Sequence, residues 1–383
     1  MKKTHVIIII YIVIFALGFV ICLINGDISA ALNYIIGFTI LLASIFIAIY
    51  LQIILHEAGH LVGGLLSGYR FVSFRVGSFT LIKDGDGKFR SKRFKMSGTG
   101  GQCLFAPPRD MAIDEVPTAL YNAGGVLMNI ITASIALVLL LTCKSKIPYW
   151  LIYFLVGNMI MGYALALLNG IPMKVGGVAN DGYNMLHLGK NKQSVKGFSV
   201  QLIANEMIQN GTRPSEIPEE LFNLGEDIDY SDPLQCNVEL MRISRILDSG
   251  DINTAYEKYK ELMLLHSQEM LPMLATEARI EQAFTCIATG DMELAQKILD
   301  DKKLMSYIKA HAGVMSSKQR LLMAKALILD NDREKAQAIY HKVVARRDKY
   351  LLQGEVNGDI DLMNHLLNRE NVGPNQEKTQ INN

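Results

Sequence analysis

Long, uninterrupted apolar runs dominate the first half of the chain, and four of them are long enough to cross a bilayer as helices. These runs are Val6 to Ile24, Tyr34 to Leu66, Leu120 to Leu141 and Tyr149 to Leu168. A helix of about 20 apolar residues spans a hydrocarbon core of about 30 Å. Because the first, third and fourth runs carry essentially no charge, the pattern favours four transmembrane helices over buried helices of a soluble core.

The first run follows Met1, Lys2 and Lys3 and therefore also has features of a signal peptide. It is long for the apolar part of a signal peptide, and no convincing cleavage site with small residues follows it. We therefore predict a retained transmembrane anchor within residues 1–33.

Short alternating stretches of apolar and polar residues, such as Phe71-Val72-Ser73-Phe74, extend from Tyr69 to Gln102. This period of two, together with a turn signal at Asp84-Gly85-Asp86-Gly87, predicts strands and a hairpin. The glycines of Ser97-Gly98-Thr99-Gly100-Gly101 allow another backbone to approach closely. We expect a small membrane-associated β element over residues 69–102.

From about Ser194 the apolar residues follow a helical period, and a weak repeat of about 40 residues passes through Gly250, Gly290 and Asn331. In each copy a left-handed Gly or Asn is expected to end one helix, and the following Asp to cap the next helix. The pattern predicts a soluble all-α domain of helical hairpins similar to tetratricopeptide repeats, with an ordinary helical bundle as the alternative.

These patterns together predict an α-helical polytopic membrane protein followed by a soluble helical domain. The expected organisation is an anchor at 1–33, a membrane core at 34–190 that includes the β element, a cytoplasmic helical domain at 191–370, and a disordered polar tail at 371–383.

The charge pattern sets the expected orientation in the membrane. The formal net charge is +1, so no nucleic-acid partner is indicated. The loop between the second and third runs is rich in basic residues, and the positive-inside rule therefore places it and both termini in the cytoplasm. These basic residues are Arg70, Arg75, Lys83, Lys88, Arg90, Lys92, Arg93, Lys95 and Arg109. The scattered cysteines, Cys22, Cys103, Cys143, Cys236 and Cys286, predict no disulfide framework.

The second run contains His56-Glu57-Ala58-Gly59-His60, a match to the pattern H-E-x-x-H. On a helix this spacing places both histidines one turn apart on the same face, where they can share one Zn²⁺. Glu57, next to the first ligand, can take a proton from a water molecule that the metal polarises. An ionisable cluster in an apolar span is expensive to bury, so it indicates a functional site rather than structural histidines.

A zinc protease usually needs a third protein ligand, and Asp181 is the candidate. It follows the fourth run closely, and that run returns the chain to the cytoplasmic side on which the topology places His56 and His60. A surface turn at Asn180-Asp181-Gly182 is the alternative. His187 and Asp110 are weaker ligand candidates.

Three sequence elements resemble the site-2 protease family of intramembrane zinc metalloproteases, over roughly residues 34 to 190. They are His56-Glu57-Ala58-Gly59-His60, Gly125-Val126-Leu127-Met128-Asn129, and Asn169-Gly170-Ile171-Pro172 leading to Asp181-Gly182. The resemblance implies zinc held by His56, His60 and Asp181, with Glu57 as the general base.

The same resemblance implies that Asn129 positions the substrate or stabilises the oxyanion, and that the β element clamps an unwound substrate as an added strand. A hydrogen bond between helices is the alternative role for Asn129. The chain departs from the family in two places: Val126 stands where proline is usual, and the stretch from Pro172 to Asp181 is longer than the common form.

The sequence therefore predicts a zinc metalloendopeptidase of a membrane, by its compact layout a bacterial cell membrane. Its expected partners are the lipid bilayer, a transmembrane protein or membrane peptide as substrate, and a protein bound to the cytoplasmic helical domain. The main alternative is a catalytically inactive membrane scaffold that acts through this helical domain. A metal-ion transporter would need further ionisable residues in the third and fourth runs, which have none.

Overall fold

A computed structural model describes residues 28–83, 86–93, 100–225 and 227–369, together with residues 16, 18, 20 and 24. The described chain is mostly helical, with one four-stranded and one two-stranded antiparallel sheet. It forms two compact units. The first unit comprises residues 28–60 and 123–171, and the second unit comprises residues 61–122 and 172–369.

Three long apolar helices build the first unit: α1 (Ile28–Leu66), α2 (Ala119–Cys143) and α3 (Tyr149–Gly170), of which α1 and α2 also extend into the second unit. All three are long and apolar enough to cross a membrane. Only 17–22% of the residues in their most apolar windows are buried within the protein, so the remaining apolar surface suits a lipid environment. The predicted first span, Val6 to Ile24, lies almost entirely outside the described residues.

Helices α1 and α2 meet backbone to backbone at two glycines. A Cβ atom on Gly59 would lie 2.2 Å from the carbonyl oxygen of Gly124, and a Cβ on Gly124 would lie 2.2 Å from that of Gly59. Any side chain at either position would force the helices apart. The close approach brings polar side chains of α2 within hydrogen-bonding distance of α1.

The predicted β element is an antiparallel sheet with the strand order β3-β2-β1-β4. Its strands are β1 (Arg70–Val76), β2 (Phe79–Lys83), β3 (Phe89–Arg93) and β4 (Gly101–Ala106). The pairing of β2 with β3 confirms the hairpin predicted around residues 84–87. β4 extends beyond the expected end at Gln102, because Phe105 is fully buried against the last turns of α1, where Gly64 leaves room for its ring. The glycine-rich residues 97–99 lie outside the described residues.

The rest of the second unit is a short hairpin followed by ten helices in the described chain. The hairpin strands are β5 (Lys174–Val175) and β6 (Val178–Ala179). The helices are α4 (Asp181–His187), α5 (Lys192–Gln209), α6 (Pro233–Asp248), α7 (Ile252–His266), α8 (Pro272–Thr289), α9 (Met292–Leu299), α10 (Lys302–His311), α11 (Ser316–Ala324), α12 (Arg333–Ala345) and α13 (Gln353–Arg369). A large apolar core that includes Ile243, Phe284 and Met363 joins α6 to α13. The predicted tail at 371–383 lies outside the described residues.

The capping chemistry predicted from the weak repeat is confirmed in all three copies. Gly250, Gly290 and Asn331 have φ angles of +91°, +99° and +50°. The following residue in each copy is an aspartate at the helix N-cap, and its side chain accepts a hydrogen bond from a backbone N–H of the first turn. The small alanine of each copy is fully buried. Left-handed caps and aspartate N-caps therefore set the helix boundaries of this unit.

A cluster of charged residues lies buried among α8, α11 and α13. Arg320 bridges Glu281 and Asp359, and Lys318, whose side chain is 1% exposed, pairs with Glu277. The Arg320 guanidinium also lies 4.2 Å from the centre of the Phe284 ring. Every cation of this cluster has an anionic partner, which is the condition for burying such groups.

Glu355 on α13 faces the same cluster. Burial, followed by the charges of Asp359 and Glu281, raises the pKa of Glu355 to about 8. The pKa is therefore higher in the folded state than in the unfolded state, where it is near 4.5. Between these two values the unfolded state releases a proton that the folded state keeps, so the free energy of unfolding falls as the pH rises through this range.

We expect Glu355→Gln to remove this loss of stability. The variant and the wild type should unfold alike near pH 4, and the variant should be more stable near pH 8 by a few kcal/mol. The measurement is the urea midpoint of the far-ultraviolet circular dichroism signal as a function of pH. Parallel curves for both proteins would contradict a Glu355 that stays neutral in the folded state.

Candidate metal centre

Helix α1 presents His56 and His60 to the same side, one turn apart. Their imidazole rings are edge to face with centres 4.7 Å apart, and the two Nε2 atoms are separated by 3.1 Å. Two nitrogen ligands of a tetrahedral zinc ion, each about 2.05 Å from the metal, would be roughly 3.3 Å apart. The histidine geometry therefore fits a shared divalent metal with little adjustment. Glu57 lies beside them and is 9% exposed.

Asn129 on α2 fixes the orientation of the His56 ring. Its amide nitrogen donates to the backbone oxygen and the side-chain oxygen of Gln52, at 3.0 and 2.7 Å. The amide oxygen is therefore the atom that faces His56 Nδ1, at 2.7 Å. Because an amide oxygen only accepts, His56 Nδ1 must carry the proton, and Nε2 presents its lone pair toward His60. This is the tautomer that a metal ligand needs.

A chain of buried polar groups continues from Asn129 into α3. The side-chain nitrogen of Gln52 donates to the side-chain oxygen of Asn158 at 3.0 Å. The hydroxyl of Thr132 lies 3.3 Å from the Gln52 side-chain oxygen and donates to the backbone oxygen of Met128 at 2.8 Å. Gln52 and Asn129 are both fully buried, and Asn158 is 6% exposed. Such groups are costly in an apolar span unless they bond to one another, and here they connect three helices around the histidines.

Gly125 keeps the space in front of the two histidines clear. A Cβ atom at this position would lie 2.6 Å from His56 Cε1 and 2.7 Å from the Nε2 atoms of both His56 and His60. Any larger residue would therefore cover the nitrogen atoms that would hold a metal.

A β-hairpin precedes the predicted third ligand and accounts for the long stretch between Pro172 and Asp181. Lys174 pairs with Ala179 and Val175 with Val178. The two residues of the turn, Gly176 and Gly177, have φ angles of +59° and +89°, which only glycine adopts readily. The additional residues are thus folded back into a regular hairpin.

Asp181 is the first residue of α4, directly after the helix cap. The Asn180 side-chain oxygen accepts hydrogen bonds from the backbone N–H groups of Tyr183 and Met173, at 3.0 and 3.1 Å. This fixes both the helix start and the base of the hairpin. One ligand atom each of His56, His60 and Asp181 lies within 4.8 Å of the other two. Two imidazole nitrogens and one carboxylate oxygen form a donor set typical of catalytic divalent metal sites.

The two weaker ligand candidates do not join this group. Among the described residues, the potential ligands near His56 and His60 include Asp181 but neither His187 nor Asp110. His187 is exposed, and its ring stacks on Tyr183 with the ring centres 4.4 Å apart. Asp110 is exposed as well.

The supporting residues Gln52 and Asn158 were not predicted from the sequence. The available signal was a polar amide in an otherwise apolar run, which is uncommon in a membrane span. Neither residue belongs to a recognisable motif. Only the crossing of the helices shows that both residues support the His56 ring through Asn129.

We expect Asn129→Leu to lower the metal affinity about 10- to 100-fold, because His56 would lose the acceptor that fixes its tautomer. Asn158→Leu, one hydrogen bond further away, should have a smaller effect. The measurement is competition for the metal with a coloured chelator, with Ile131→Ala, a change at a largely exposed position of α2, as the control. Unchanged affinity combined with lost activity would instead favour the predicted role of Asn129 at the substrate or oxyanion.

Comparison with known proteins gives no assignment. No family model matches the chain, no curated protein matches it, and no solved structure matches it. The functional interpretation of this centre therefore rests on its own geometry.

Proposed function

We propose that the protein is a zinc-dependent endopeptidase that hydrolyses peptide bonds within or next to the transmembrane segments of membrane-anchored substrates. The observation that carries the proposal is the grouping of His56, His60 and Asp181 ligand atoms within 4.8 Å, with Glu57 next to the first ligand. Two histidines and one carboxylate also suit iron(II) in oxygenases. The adjacent general base favours hydrolysis, as does the resemblance to site-2 proteases.

In this proposal His56, His60 and Asp181 hold the zinc ion. When bound there, zinc would act as a Lewis acid toward the scissile carbonyl and would make a neighbouring water molecule more acidic. Glu57 accepts the proton of the attacking water on its carboxylate and then delivers it to the leaving amine. Asn129 keeps the His56 ring in the correct tautomer through its hydrogen bond to Nδ1.

The apolar surroundings determine which substrates reach this centre. The motif lies near the end of α1, a helix long and apolar enough to span a bilayer. A substrate helix hides its carbonyl groups in backbone hydrogen bonds, so it must unwind locally before hydrolysis. We propose that the centre lies toward the cytoplasmic side, on the basis of the basic residues between α1 and α2.

The second unit would serve recruitment or gating of substrates. Its capped helices and weak repeat support an array similar to tetratricopeptide repeats, a class that binds peptides on concave surfaces. This role is separate from the chemistry of the metal centre.

The test uses purified protein in proteoliposomes with two model substrates that differ only in their transmembrane segment. One carries an uninterrupted polyleucine helix, and the other carries a Gly-Pro pair that weakens the helix. We expect cleavage within or next to the segment with the Gly-Pro pair, at least about tenfold faster than that of the polyleucine segment, as mapped by mass spectrometry. Cleavage confined to soluble loops, or no cleavage of either substrate, would contradict the proposal.

A further inference from the structure

A large open cavity lies within the second unit, and its lining includes none of the candidate metal ligands. Its volume is about 970 Å³. This is at the upper end of the range of about 300–1,000 Å³ for small-ligand sites. Helices α6, α8, α10, α11 and α13 contribute to its walls, and the end of β3 and the segment 346–352 also line it.

The walls are mainly apolar, but the hydrogen-bonding groups among them are unevenly distributed. Glu277 and Glu281 line the cavity with side chains that are 24% and 17% exposed. Their cationic partners, Lys318 and Arg320, are only 1% and 6% exposed. Arg320 also lines the cavity, but Glu281 and Asp359 hold its guanidinium, and Lys318 is not part of the lining. The carboxylates of Glu277 and Glu281 are therefore the more accessible charged groups of the interior. A ligand with N–H groups complements such a wall, whereas an acyl chain does not.

Another part of the lining is basic. Lys92 and Arg93 on β3 line the cavity together with Arg346 and Lys349. Asp348 is the acidic residue among them, and its backbone oxygen accepts a hydrogen bond from Lys92 at 3.4 Å. All five side chains are exposed or half-buried, so this basic rim attracts anionic groups that remain hydrated.

The interior itself disfavours an additional anion. Glu355 lines the cavity beside Asp359 and Glu281, and its pKa is raised to about 8, chiefly by burial. A carboxylate of a ligand would meet the same unfavourable surroundings. The anionic groups of a ligand must therefore stay at the basic rim, while its apolar and N–H groups enter the cavity.

We infer that this cavity binds an extended peptide segment in which acidic residues alternate with apolar residues. The apolar side chains contact the walls, backbone N–H groups donate to Glu277 and Glu281, and acidic side chains lie at Lys92, Arg93, Arg346 and Lys349. The idea that such a peptide segment belongs to a protease substrate, and recruits it through the cavity, rests on the proposed function. Binding of the peptide does not depend on the proposed function, because it is measured with full-length Glu57→Gln protein. A failure of peptide binding can therefore be distinguished from a failure of the protease proposal.

The probes are three fluorescent peptides of about ten residues, added to the full-length protein in detergent. The first alternates Val and Glu, the second has Lys in place of each Glu, and the third has Ser in place of each Val. We expect the first to bind with a Kd of about 10–100 μM and the other two to bind at least about tenfold more weakly.

Two changes in the cavity should reduce binding of the first peptide at least about tenfold. Arg346→Glu with Lys349→Glu reverses charge on the rim, and Ser244→Trp fills part of the cavity. The control, Lys297→Glu with Lys342→Glu, makes the same charge change at exposed positions outside the cavity lining. It should leave binding within about twofold of the wild type.

Three results would overturn the inference. One is equal affinity for the Lys-containing peptide, and another is unchanged binding after charge reversal at the rim. The third is displacement of the Val-Glu peptide by dodecanoate at similar concentrations, which would assign the cavity to acyl chains.

Discussion

Glu57→Gln is expected to abolish cleavage of a transmembrane substrate while leaving the bound metal in place. Glutamine has nearly the same shape as glutamate but cannot accept a proton at neutral pH. General-base catalysis typically contributes about 10²- to 10⁴-fold, so kcat should fall by at least about 10²-fold. Metal content should remain close to that of the wild type, because the ligand set of His56, His60 and Asp181 is unchanged.

The matched control is Glu293→Gln, the same chemical change on the exposed face of α9. It should leave both cleavage and metal content at wild-type levels. Full activity of Glu57→Gln would remove this residue from the proton transfer. Loss of metal together with activity would instead assign it a role in metal binding.

Gly125→Ala is expected to lower metal binding to less than about a tenth of the wild-type level and to remove activity with it. The added methyl group would lie 2.6–2.7 Å from the His56 ring and from His60 Nε2, well inside ordinary contact distance. Alanine stabilises a helix by about 1 kcal/mol relative to glycine, so simple unfolding of α2 does not explain such a loss. Metal analysis of the purified protein and circular dichroism together provide the measurement.

A second Gly-to-Ala change separates steric obstruction from a general effect of the substitution. At Gly313 a Cβ atom would meet no other atom within 4 Å. Gly313→Ala should therefore retain metal and activity. Normal metal content in Gly125→Ala would show that the histidine nitrogens bind no ion in the observed arrangement.

Local sequence chemistry predicts several features of the structure directly. The spacing of His56 and His60 alone predicts that both imidazoles lie on the same side, because a helix brings residues four apart to one face. The aspartate caps of the weak repeat also depend only on neighbouring residues, as does the pairing of β2 with β3. These features require no knowledge of how distant segments pack.

Other features, which depend on packing between distant segments, were not predicted from the sequence. The support of His56 by Asn129 and Gln52 follows from the close approach of α1 and α2 at Gly59 and Gly124. The cavity of the second unit is likewise lined by several helices that are far apart in the sequence.

The hairpin before Asp181 is a different case. Its two glycines between valines are a recognisable signal for a two-residue turn. From the motif pattern alone, the stretch between Pro172 and Asp181 is only an unusually long connection. Each strand of this hairpin has only two residues, so the alternation of polar and apolar residues is too short to predict the strands.

The most direct test of the central claim is removal and return of the metal in a cleavage assay. Wild-type protein in proteoliposomes is treated with a chelator, assayed with the Gly-Pro transmembrane substrate, and then titrated with Zn²⁺ while the bound metal is quantified. We predict that cleavage disappears with the metal and returns at about one zinc ion per chain. Cleavage that persists without metal would contradict the account, as would a protein that binds zinc at no stoichiometric site; the latter result would favour a membrane scaffold that acts through its helical unit.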